Sequence, residues 1–119
     1  MTSDASLMTP REIAGQAANA IRVLNDLTTD GELASPVDVR DIVANLELIG
    51  HGLPQLYEQL ARFLVVQHED GQLRHGAGVD PDNAITEIIE ALAAAGQAAD
   101  MMTAALTEAR VTSTVLSPK

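Results

Sequence analysis

The side chains able to do chemistry are few. There is no cysteine, which excludes disulfides, thiolate metal sites and a cysteine nucleophile. His68, Glu69, Asp70 and His75 put two imidazoles and two carboxylates in one short stretch, a donor set of the kind zinc and other transition metals take. Their spacing matches no closed structural-site pattern and the stretch is rich in glycine, so the expectation is a polar connecting loop without a metal. His51 stands between Gly50 and Gly52, where a side chain that titrates near neutrality meets backbone that a ligand could approach. No nearby carboxylate or nucleophile completes a constellation with it. Glu87 and Glu90 are three apart and share a helical face, but paired carboxylates serve acid/base chemistry only inside a cleft. Together with Asp100 and Glu108 they read as a solvated side. No phosphate-binding glycine loop and no Ser-His-Asp arrangement occurs. The expectation is therefore a protein that is not an enzyme and needs no cofactor.

The elements that must carry these side chains are helices. The 119 residues fit one domain with one core. With one Phe, one Tyr and no Trp against a hydrophobic fraction of 46%, that core is aliphatic and alanine-rich, which favours helix over strand. A formal net charge of −10 argues against direct nucleic-acid binding, which runs on Lys and Arg meeting phosphates. No apolar run approaches the roughly 20 residues of a membrane span and the N-terminus lacks an apolar signal core. A cytoplasmic, non-membrane protein is the default expectation.

Three start signals recur along the chain. Thr9-Pro10-Arg11-Glu12 offers an N-cap, a first-turn proline and a capping box, with Met8 and Ile13 placed as a hydrophobic staple. Its helix carries Ile13, Ala17, Ala20 or Ile21, Leu24 and Leu27 on one side and ends near Thr28. Ser35-Pro36-Val37-Asp38 repeats the signal, and the stripe that follows is Val39, Ile42, Leu46, Ile49, Leu53, Leu56, Leu60 and Phe63. That stripe holds its phase through Gly50-His51-Gly52-Leu53-Pro54. Proline lacks an N–H and crowds the carbonyl four residues back, so two readings stand: one bent helix over 36–69, or two helices broken at 50–54. In-phase apolar spacing favours the bent helix. Glu58 and Arg62 make an ordinary i,i+4 surface pair. A glycine-rich loop follows, and Asp80-Pro81 starts the last helix, with Val79 placed to staple onto Ala84. Its stripe is Ile85, Ile88, Leu92, Ala95, Ala99, Met102, Leu106 and Ala109.

The expected architecture is all-α: an antiparallel bundle of three helices, four if the second breaks, made of a long helical hairpin plus a shorter N-terminal helix. In domain terms this is a flexible N-terminus over 1–8, a helical bundle over 9–110 and a loose tail over 111–119. A helix of about 34 residues spans roughly 50 Å, one of about 29 roughly 43 Å and one of about 19 only roughly 28 Å. Part of the long seam is then left uncovered, which motivates a homodimer.

The last helix has a second stripe of small or flexible residues, Ala91, Ala94, Ala98, Met101 and Ala105. Alanine is the best helix former, so this can be a plain solvated face. The alternative is an interface, since small side chains let helix axes approach, Gly96 widens the flat surface and the Met101-Met102 pair suits an adaptable contact.

Length, acidity and helical pattern resemble the small helical-hairpin proteins exported by type VII secretion. That family is marked by a Trp-x-Gly turn and a tyrosine-based C-terminal signal. This chain has no tryptophan, and Tyr57 is followed by Glu58-Gln59-Leu60-Ala61, with no acid four positions on; no family is assigned.

The preferred functional expectation is a non-catalytic interaction or assembly protein that dimerises and presents a helical face to a protein partner. The alternatives are an acidic inhibitor that mimics nucleic acid toward a basic protein, which strong salt dependence would mark, and a small-ligand or metal-binding bundle.

Overall fold

The computed structural model describes residues 7–73 and 80–117. Within them the protein is all-helical: α1 spans Pro10–Thr29, α2 spans Pro36–Glu69 and α3 spans Pro81–Ser113. Each begins on the signal its sequence carries. Thr9 Oγ1 accepts from the Glu12 N–H at 3.1 Å while the Thr9 N–H donates to Glu12 Oε1 at 3.1 Å, a complete capping box. Ser35 Oγ accepts from the Val37 N–H at 3.2 Å and Asp80 Oδ1 from the Asp82 N–H at 2.9 Å. Both α1 and α2 stop at an Asp-Gly pair. Gly31 and Gly71 take positive φ of 80° and 69°, and the two returning hydrogen bonds of a Schellman motif form each time, Glu32 N–H to Leu27 O and Gln72 N–H to Gln67 O among them.

α2 runs unbroken through Pro54, so of the two readings for residues 50–54 the continuous helix is the one formed. α3 passes Arg110 to end at Ser113, taking the first residues of the expected tail into the helix. The staple partner Val79, His75 and residues 1–6 lie outside the described residues.

Helices α2 and α3 pack closely, and among the described residues they are the only pair to do so over any length. Their contacts run in opposite order along the two helices. Glu47 meets Thr107 and Arg110, Gly50 meets Thr103, Pro54 meets Gly96, and His68 Nε2 lies 2.5 Å from Asp82 Oδ1. The expected cover of this pair by the first helix is not what forms: α1 buries none of its residues. The radius of gyration is 19.0 Å, against about 13 Å for a compact domain of 100 residues. The connection between α1 and α2 is short and closed by local bonds, with Gly31 at positive φ and the Ala34 N–H donating to Asp38 Oδ2.

Candidate functional site: an uncovered apolar flank

The aliphatic stripes expected to meet in the core sit beside it. On α2 the residues turned to α3 include Gly50, Pro54, Tyr57 and Ala61, each one position past Ile49, Leu53, Leu56 and Leu60. One residue turns a helical face by about 100°. On α3 the contact runs through Ile89, Gly96, Thr103 and Arg110, again one position past Ile88, Ala95, Met102 and Ala109 of the expected stripe. Ile85, Leu92, Ala99 and Leu106 serve both faces. The physical cause is close approach. A Cβ on Gly50 would overlap Thr103 Oγ1, and one on Gly96 would stand 3.6 Å from Pro54 Cα, so the axes come together where side chains are smallest.

Polar groups complete this contact. Glu47, only 7% exposed, accepts from Thr107 Oγ1 at 2.7 Å and from Arg110 Nε. The Arg110 hydrogen bond is the main reason its carboxyl titrates below the ordinary glutamate range; the Thr107 hydroxyl, the Arg110 charge and the His51 charge act in the same direction, against desolvation. His51 itself is exposed, one helical turn past Glu47. Thr103 Oγ1 returns to Ala99 O at 2.7 Å. No buried side-chain polar atom is left without a partner among the described residues, as a stable polar contact between helices requires.

Because the contacts run in opposite order and the one-residue offset has the same sign on both helices, both stripes turn to the same side of the pair. The result is a continuous apolar flank. On α2 it exposes Ile49 by 51%, Leu56 by 46%, Leu60 by 48% and Phe63 by 61%; on α3 Ile88 and Met102 continue it at 40% and 41%. No charged residue interrupts these positions. The other side of the pair is more polar. There Glu58 and Arg62 form the expected pair at 2.7 Å, and a shallow depression between α2 and α3 is lined by Glu58, Gln97 and Asp100 together with the apolar Pro54, Tyr57 and Leu92.

Ala91, Ala94, Ala98, Met101 and Ala105 all lie exposed on the outer side of α3, Met101 by 75%. They adjoin the flank without forming its centre. Of the donor set around residue 68, His75 lies outside the described residues and His68 is engaged with Asp82; among the described residues no three His, Asp or Glu side chains are grouped as a metal would need. No described helix is long and apolar enough to cross a membrane.

Sequence reasoning missed Glu47, Thr107 and Arg110, and with them the true contact face. A signal was present: Glu47, Gly50, Pro54, Tyr57 and Ala61 themselves keep helical three-and-four spacing, a small and polar seam parallel to the conspicuous aliphatic one. Comparison of the chain with protein-family models, curated proteins and solved structures finds no match.

Proposed function

We propose that this protein is a non-catalytic interaction or assembly module, dimeric, built on an antiparallel α2–α3 hairpin that offers helical surface to protein partners. The observation that carries the reading is the uncharged apolar flank. Ile, Leu and Phe side chains stand about half exposed in a row along one side of the hairpin, and contiguous apolar patches mark interaction sites. The opposite order of contacts along α2 and α3 supports the antiparallel arrangement.

Homodimerisation covers the flank, and the outer α3 face of Ala91, Ala94, Ala98, Met101 and Ala105 then remains for a further protein partner. Its side chains are small enough for a helix to lie close, and Met101 can adapt to what it meets. The net charge of −10 keeps such an assembly soluble and turns nucleic acid away. Light scattering of the full chain at micromolar concentration tests this reading. A mass above that of one chain is expected; a strict monomer at every concentration would dismiss it.

A further inference from the structure

Two unpartnered apolar faces occur in one chain, and they fit each other. The first is the α2–α3 flank. The second belongs to α1, where Ile13, Ala17, Ile21 and Leu24 recur on one side while Arg11, Glu12, Arg22 and Asp26 are all on the other. α1 is a well-formed, capped helix with no fully buried residue; only its last turns, at Leu24 and Leu27, approach α2. Such a helix gains most of its stability from burying its apolar face, not from propensity alone. Its 20 residues extend about 30 Å, enough to cover the α2 flank from Ile49 to Phe63, which extends about 21 Å. Neither the apolar side of α1 nor the flank carries a charge, so their contact leaves no ion stranded.

The connection decides which copy's flank α1 covers. Gly31 holds its left-handed conformation and the Schellman bonds fix the exit of α1. Asp38 Oδ2 accepts from the Ala34 N–H at 2.7 Å, and Leu33 shares a small pocket with Leu24, Leu27 and Ile42. With this elbow as formed α1 does not pack along its own hairpin, so covering its own flank would require the elbow to change. Reaching a neighbour's flank would not.

We infer that α1 is an exchange arm: its apolar face docks on the α2–α3 flank of a second copy, whose own α1 returns the contact across a two-fold axis. The inference rests on the dimeric reading above and names the surfaces that meet. Each copy's flank is then complete only with the other's arm.

The chain has no cysteine, so engineered thiols report cleanly. Ile21 and Leu56, at 43% and 46% exposure, can be replaced without opening the α2–α3 contact. An equimolar mixture of Ile21→Cys and Leu56→Cys chains, treated with a short bis-maleimide, is expected to yield a covalent species of twice the 12.5 kDa chain mass. Either variant alone is expected to yield little. In the double variant Ile21→Cys/Leu56→Cys, an intramolecular link at 12.5 kDa would overturn the exchange by showing that the arm closes on its own hairpin. A dimer by light scattering without the mixed cross-link would overturn the exchange and leave the dimeric reading standing. A strict monomer would remove both.

Discussion

Alanine substitution at Gly50 and at Gly96 separates the packing account from helix propensity. Both glycines lie in helix interiors, and replacing either gains about 1 kcal/mol of propensity. At Gly96 the new methyl meets Pro54 Cα at 3.6 Å, Pro54 Cβ at 3.8 Å and Tyr57 Cδ2 at 4.0 Å, ordinary contact that leaves the gain intact. At Gly50 the methyl overlaps Thr103 Oγ1 and stands 3.3 Å from Thr103 Cβ. Thr103 is 6% exposed, and its hydroxyl is held to Ala99 O at 2.7 Å, so rotating it away breaks a buried hydrogen bond. Overpacking of this kind costs about 1–3 kcal/mol. Since the propensity gain is common to both, Gly96→Ala should exceed Gly50→Ala in stability by about 1–3 kcal/mol, with Gly96→Ala at or above the parent. Urea denaturation followed by far-ultraviolet circular dichroism at one fixed protein concentration measures the difference. Equal stability of the two variants would refute the claim that α2 and α3 meet on their small-residue faces.

Two further outcomes follow from the polar contacts. The carboxyl of Glu47 titrates below the ordinary glutamate value of 4.5 because Arg110 and Thr107 bond its ionised form. A lowered folded-state value means stabilisation that is complete above the unfolded value and fades as pH falls through the folded one. The parent should therefore melt above Glu47→Gln at neutral pH, with a steady gap down to about pH 4.5 that closes below it; a gap unchanged at pH 3 would contradict the pairing. At the other end of the chain, Thr9→Ala removes the capping box and should cost α1 about 1 kcal/mol. Hydrogen exchange of the first-turn amides would then speed up about fivefold, and unchanged exchange there would mean the box does not hold the helix.

The helix boundaries were legible because they rest on local chemistry. Thr9, Ser35 and Asp80, each before a proline, placed three starts, and the unbroken phase from Val39 to Phe63 foretold that α2 would run through Pro54. What the sequence hid was rotation. A stripe of leucines and isoleucines says which side of a helix avoids water, but not which of two neighbouring faces meets a given partner. Close approach at Gly50 and Gly96, together with an acid at 47 that only finds its cation across the contact at Arg110, turned both helices by about one residue. Those are pairings between positions about 40 to 60 residues apart, and no local pattern carries them. The placement of α1 was hidden for a similar reason. Its amphipathic pattern says which side avoids water, while the turn at Gly31 and the bond from Ala34 to Asp38 lie in the connection that orients it. Of the residues singled out for chemistry, His51 stays exposed and His68 turned to Asp82.

The central claim is that the apolar flank, and not the polar side of the hairpin, brings copies of this protein together. Sedimentation equilibrium of Leu56→Glu beside Gln55→Glu tests it most directly. The two substitutions add the same charge at adjacent exposed positions of α2, one on the flank and one off it. The account predicts that Leu56→Glu sediments as a single chain while Gln55→Glu keeps the parent's assembly. Loss of assembly in both, or in neither, would contradict it.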